Sequence, residues 1–195
     1  MKLLDLTADL SLDLFVRDNH AGTHIEAPAY LISGGMRIEQ FGLELFAAES
    51  VLLDLTEKEP GQPIDDEDLE GAEERAGIGL REGEVVLLHT RTGDSKRGDT
   101  VPTPHVYLSE NGAEYLEFKR PFMVGIDAPS LDPIGSNELS AHSILMRAGI
   151  LVLESLCNLE NIQQSRFRLV ALPLKLNGST SPVRAVAILD EIWLQ

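Results

Sequence analysis

Leu10, Leu12, Leu14 and Val16 alternate with Ser11, Asp13, Phe15 and Arg17, a mostly two-residue period that predicts a strand running into the segment NHAGTHIEAP. Two apolar runs follow, VLLDLT (51–56) and EVVLLHT (84–90). They are rich in branched residues and bounded by charged or glycine-containing turns, which predicts buried strands. Between them, IDDEDLEGAEERAG puts Asp65 and Asp66 at a helix start, more acidic groups in the first turn, and Gly77 at the end. The second half repeats this alternation without repeating sequence. A helix opens at Ser109, PFMVGID forms a strand closing at Asp127, ELSAHSILMRAG forms a helix ending at Gly149, and ILVLE (150–154) forms a strand. FRLVALPLKL and VRAVAIL then predict two strands joined by the turn-rich NGSTSP. The pattern predicts an α/β protein with a mixed sheet and helices packed on it, residues 1–195 forming one domain.

Composition narrows the function. An apolar fraction of 43% and a charged fraction of 25% exclude a wholly disordered, collagen-like or membrane-spanning chain. A formal charge of −16 disfavours nucleic acid and anionic lipid, so neither is an expected partner. Asp5, Asp9 and Asp13 break up the first residues, leaving no apolar core of secretory type, and a cytoplasmic location is expected. Cys157, the sole cysteine, lies in the apolar stretch LVLESLCNL and is expected to be a buried, inert thiol.

Candidate chemistry concentrates at His20, Gly22, His24 and Glu26. If this segment is extended, the even-numbered side chains share one face, and two imidazoles and a carboxylate converge where Gly22 leaves room. Such donors suit zinc, manganese or iron, and having no thiolate argues against a structural cysteine-rich zinc site. Taken alone, two surface histidines in a polar loop explain the spacing more simply. The second half changes that balance, because the helix carrying His142 leads into an apolar strand that ends at Glu154. An ionised glutamate at the end of a buried strand is costly unless paired or bound to a metal. Ligands also bind beyond the carboxyl ends of strands in open α/β sheets. With the first cluster, His142 and Glu154 complete a site for one or two ions.

These residues carry a resemblance. HAGTHIEAP resembles the HxGTHxDxP signature of the metal-dependent cyclase family that includes bacterial kynurenine formamidase and isatin hydrolase. The likeness continues in order through VYLSENGAEYL, VGIDAPSLDP, AHSILMRAGILVLESL and LPLKLNGSTSPVRAVAIL, nearly the whole chain from about Asp5. It implies a swivelling β/β/α fold, homodimeric or a higher homo-oligomer. It also implies a divalent metal, Zn2+ or Mn2+, that serves hydrolysis of a small amide, formamide, lactam or ester. Carried over by position, His20, His24 and Glu26 fall on the first ligand group and His142 and Glu154 on the second; in the hydrolase reading Glu154 or a metal-bound hydroxide handles the proton.

The chain departs from that pattern at three places. Glu26 stands where the family has aspartate, keeping the charge but reaching one methylene further. Tyr30 replaces the histidine two residues beyond the motif's proline, the expected proton-transfer group; an ordinary phenol, with a pKa of about 10, donates a hydrogen bond at neutral pH but is a poor base. Few residues precede His20, so part of the N-terminal segment that shapes the pocket is expected to be shortened. Tyr30 and that short segment favour the competing reading, a non-catalytic relative that keeps the fold for metal binding or assembly. Asp127, Ser130 and Asp132 are expected to serve capping and turns, and His89 and His105 to be structural, the alternative being that either approaches the pocket and partly substitutes for the missing base. Arg184 is balanced between a substrate or subunit contact and a buried ion pair.

Overall fold

The computed structural model describes residues 1–8, 20–94 and 104–189, and the alternating segment 10–16 lies outside the described residues. Among the described residues the main sheet has eight strands: β1 (Lys2–Asp5), β2 (His24–Glu26), β3 (Ala47–Asp54), β5 (Val85–His89), β7 (Met123–Ile126), β8 (Leu151–Glu154), β9 (Arg166–Pro173) and β10 (Thr180–Leu189). A two-stranded parallel patch pairs β4 (Pro63–Ile64) with β6 (Tyr107–Leu108). Three helices, α1 (Asp66–Ala76), α2 (Glu110–Lys119) and α3 (Ser140–Arg147), make the crossovers β3-α1-β5, β5-α2-β7 and β7-α3-β8.

Those crossovers leave β3, β5, β7 and β8 parallel, whereas β2, β9 and β10 join antiparallel. Because β10 pairs with β9 along one edge and with β2 and then β1 along the other, the sheet closes on itself. This barrel-like closure explains why the parallel strands read as continuous apolar runs. Val85, Leu87, Met123, Leu151 and Leu153 face the barrel interior with Ile25, Phe167, Leu169 and Ala185. Val86, Leu88, Val124, Ile126 and Val152 face the helices, against Leu69, Leu116, Leu145 and Met146. Both faces are therefore buried.

The helix ends follow the sequence signals. Asp65 caps α1 in a reciprocal box with Asp68, and Gly77 closes it in the left-handed region at φ 64°. The Ser109 hydroxyl caps α2 by accepting from the Gly112 amide. The third helix starts at Ser140 rather than Glu138, and its first-turn amides are met by Asp132 from outside the helix. β3 begins four residues before the apolar run that predicts it, because Ala47 to Ser50 pair with β9, an edge the local pattern does not encode. Likewise β1 is held by β10 through long-range pairing, where sequence reading placed no strand. Cys157 is half-buried, its sulfur accepting from Asn158 Nδ2 at 3.4 Å. Among the described residues no helix is long and apolar enough to cross a membrane.

Candidate metal centre

Glu154 ends β8 on the helix-facing side, two residues beyond Val152. In the antiparallel pairing His24 lies opposite Glu154 and Glu26 opposite Val152, so His24 and Glu26 share the face to which Glu154 points. His142, in the first turn of α3, comes down on the same spot. Its Nε2 lies 3.1 Å from Glu26 Oε2 and 3.1 Å from Glu154 Oε1, and His24 Nε2 lies 3.5 Å from Glu26 Oε1 and 3.4 Å from Glu154 Oε2.

His20 arrives by a route that differs from the expectation. The segment is not extended throughout; only His24–Glu26 is strand, and Gly22 adopts a left-handed φ of 71°. That bend, which glycine adopts without a Cβ penalty, turns the chain so that His20 Nδ1 lies 2.5 Å from Glu26 Oε1. Convergence of His20 with Glu26 thus comes from a turn and not from strand alternation.

The imidazoles are oriented from behind. His24 Nδ1 donates to the Gly22 carbonyl at 2.9 Å, leaving Nε2 turned toward the carboxylates. His142 Nδ1 meets Asp132 Oδ2 at 2.5 Å, the carboxylate–histidine pairing that fixes a metal ligand's tautomer. Asp132 also accepts from the Ala141 and His142 amides at 3.0 and 3.1 Å, and its carbonyl accepts from His105 Nε2 at 3.1 Å. Glu154 Oε1 accepts from the Leu131 amide at 2.8 Å. Asp132 is therefore a capping residue, as the sequence suggests, and in addition the group that aims His142, a role that sequence reasoning missed. Its position two residues from Ser130 in SLDP signals only a turn; no local pattern links it to a histidine ten residues on.

Burial makes this cluster unusual. His24, Glu26, His142 and Glu154 are almost wholly withdrawn from solvent, yet His24 Nε2 and Glu26 Oε2 make only ion-pair contacts within the cluster and no well-formed hydrogen bond. Buried polar atoms without a well-formed hydrogen bond cost on the order of 1–3 kcal/mol each, a cost that a cation held among these donors would offset. Burial opposes ionisation of Glu26, but His142, His20 and His24 overcome it and hold the carboxyl far below its ordinary range. Burial likewise opposes the charged form of Glu154, and His142 and His24 more than offset it. For His24, burial works against protonation, yet Glu154 and Glu26 push its pKa up to about 10, and His142 is raised well above its ordinary value in the same way.

Two triplets of donor atoms result, His20–His24–Glu26 and Glu26–His142–Glu154, each with all its atoms within 4.8 Å of one another. Glu26 belongs to both. The donor set fits a divalent transition ion, with neutral imidazoles and carboxylates and no thiolate. Tyr30 closes one side, its ring centre 4.9 Å from that of His20 and 6.4 Å from that of His142. The remaining candidates lie elsewhere. His89 pairs with Asp94 at 3.0 Å, and Asp127 pins the turn after β5 by accepting from Thr90 and Gly93. Arg184 is not a buried ion pair; it is exposed and reaches Asp5 at 2.6 Å, fastening β1 to β10 from outside.

The chain is similar to known proteins in both sequence and fold. The family model described as "Cyclase: Putative cyclase" matches residues 4–133. A kynurenine formamidase of Salinibacter ruber is 34% identical over 86% of this chain and 74% of its own, and one of Bacillus cytotoxicus is 31% identical over 86% and 75%. A solved structure described as a potential metal-dependent hydrolase with cyclase activity superposes with a TM-score of 0.79 at 26% identity, covering 95% of this chain and 96% of that one. Isatin hydrolase A from Labrenzia aggregata shares the fold with a TM-score of 0.84 at 23% identity, covering 97% and 94%. Fold, cluster and likenesses together define an enzyme of the metal-dependent hydrolase class. The chain belongs to the cyclase family.

Proposed function

We propose that this enzyme hydrolyses the C–N bond of a small formamide, amide or lactam with one or two divalent ions, Zn2+ or Mn2+, held by His20, His24, Glu26, His142 and Glu154. The observation that carries the reading is the convergence of buried imidazole and carboxylate donors in two triplets, in which His24 Nε2 and Glu26 Oε2 make no well-formed hydrogen bond. Because Glu26 belongs to both triplets, it would serve as a ligand with either group of donors, and its side chain reaches one methylene further than an aspartate. When bound, the ion supplies Lewis-acid polarisation of the carbonyl and acidifies water.

The chain's own residues do the rest. Gly22 and Asp132 hold His24 and His142 in the tautomer that offers Nε2. Leu131 anchors one oxygen of Glu154 and leaves the other to take the proton of the attacking water and pass it to the departing nitrogen. Tyr30 contributes a hydrogen bond to the substrate or to the proton being moved. The relatives named for formamidase activity support an arylformamide as the first substrate to test. Ion-loaded protein is expected to turn over N-formylkynurenine or isatin, and a chelator to abolish that turnover until Zn2+ or Mn2+ is restored. Metal-replete protein inert toward formamides, lactams and esters alike would instead favour the non-catalytic reading, which no feature of the complete donor set supports.

We also propose a cytoplasmic homo-oligomer, supported by the apolar side chains of Leu3, Leu172, Leu174 and Leu176 left exposed on the β1 and β9 side. A strongly acidic surface requires such apolar burial for self-association. Light scattering at micromolar concentration is expected to give a multiple of 21.4 kDa; the monomer mass would overturn this.

A further inference from the structure

A second group of ligand-type side chains shares no residue with the first. His89 is the last residue of β5, Asp94 follows in the turn, and Glu160 comes from the short helix Leu159–Asn161; one donor atom of each lies within 4.8 Å of the others. His89 is buried, and its Nε2 faces the two oxygens of Asp94 at 3.0 and 3.2 Å. All three line a cavity of about 490 Å³, where Asp54, the β3 partner of His89 in register, adds a third carboxylate. Two guanidiniums also line it. Arg75 is already engaged by Glu57 and by the Asp54 carbonyl, each at 3.0 Å, leaving Arg91 as the cation that offsets the acidic groups.

The donors stand on supports that are tied together. The buried Asp127 carboxylate accepts from the Thr90 amide at 3.0 Å, the Thr90 hydroxyl at 2.6 Å and the Gly93 amide at 3.3 Å, which sets the path of the chain into Asp94. At Gly93, a Cβ would lie 2.3 Å from the Leu156 carbonyl oxygen, so the turn is pressed against the stretch that leads on to Glu160. Three donors from three segments are thus held face to face, and two of them are carboxylates; burial and the neighbouring Asp94 raise the Glu160 carboxyl above its ordinary range, a repulsion that a bound cation would relieve. An imidazole with two carboxylates suits a borderline ion such as Mn2+ or Zn2+ better than the all-oxygen shell that Ca2+ takes.

We propose that His89, Asp94 and Glu160 form a second divalent-cation site, which clamps the turn after β5 to the segment at 159–161. With three protein ligands, one of them on an exposed glutamate, it binds more weakly than the first cluster and exchanges its ion.

The test uses the purified full-length chain with its tight sites loaded, titrated with Mn2+ and followed by electron paramagnetic resonance and calorimetry. Wild type is expected to bind one further Mn2+ per chain. The double variant Asp94→Asn/Glu160→Gln should lose that ion alone, its affinity falling by 100-fold or more, while the tightly held metal stays. His24→Ala should do the reverse, so failure here and failure of the catalytic reading are distinguishable. Because Asp94 also supports the fold, Glu160→Gln is measured separately; its side chain is exposed and its fold is expected to be unchanged. Equal Mn2+ counts and affinities in wild type and Glu160→Gln would overturn the proposal. So would a crystal soaked in Mn2+ with no anomalous peak beside His89 Nε2.

Discussion

His24→Ala is expected to strip the enzyme of its tightly held ion and to lower kcat/KM by at least about 10³-fold, or roughly 4 kcal/mol of transition-state stabilisation. The expectation rests on geometry: His24 is fully buried, its Nδ1 is spent on the Gly22 carbonyl, and its Nε2 faces the Glu26 and Glu154 carboxylates without a well-formed hydrogen bond. A side chain held in that way, at the cost of desolvating it, has one atom left to use. Ion affinity should also depend on pH in a direction fixed by the carboxylates. Burial disfavours protonation of His24 and His142, yet Glu154 and Glu26 raise His24 to about 10, and Asp132, Glu154 and Glu26 raise His142 well above its ordinary value, so in the ion-free form both carry protons at neutral pH. Binding an ion must displace them. Affinity therefore rises as pH rises, by up to about tenfold per displaced proton per pH unit, and falls as acid returns them. Elemental analysis of the variant, with calorimetry of wild type from pH 6 to 8, checks both statements. Stoichiometric metal with undiminished turnover in His24→Ala would remove His24 from the site.

What the sequence reveals here divides by the range of the interaction that sets each feature. Features set by near neighbours are readable: the caps of α1 and α2, the apolar runs of β5 and β8, the left-handed stop at Gly77. Those set by distant pairing are not. Nothing near residues 47–50 announces that β9 will extend β3 there, and nothing near Lys2 announces β10, because each strand end is stabilised by hydrogen bonds to residues more than a hundred positions away. The donor set is legible because residue type alone limits what His and Glu do when buried. Its geometry is not. Reading His20 through Glu26 as extended brings the same side chains together by a different route, since Gly22 bends the chain and the turn delivers His20. Asp132 shows the same limit from the other side: its capping role is local and readable, whereas its grip on His142 exists only once α3 packs against the loop before it.

Tyr30→His is expected to accelerate hydrolysis of formamide and lactam substrates by about 10- to 100-fold, a fraction of the roughly 10² to 10⁴ that a well-placed general acid or base contributes. Tyr30 follows β2 in the short helix Pro28–Tyr30, and its ring stands between the edge of the core and the cluster, 4.9 Å from His20 and 6.4 Å from His142. A phenol there supplies a proton donor but, at neutral pH, almost no base; an imidazole supplies either. The gain should therefore come with a new limb in the pH–rate profile near the ordinary histidine pKa of about 6.5. A purely structural effect of the substitution would change stability or metal content without creating that limb. Tyr30→Phe separates the two functions of the phenol, because it keeps the ring that packs on His20 and removes only the hydroxyl. If the hydroxyl orients substrate, Tyr30→Phe raises KM more than it lowers kcat; if it moves the proton, kcat falls and KM holds. A Tyr30→His protein that keeps its fold and its ion yet shows neither faster turnover nor the added pH limb would show that Tyr30 serves a substrate for which no imidazole is wanted.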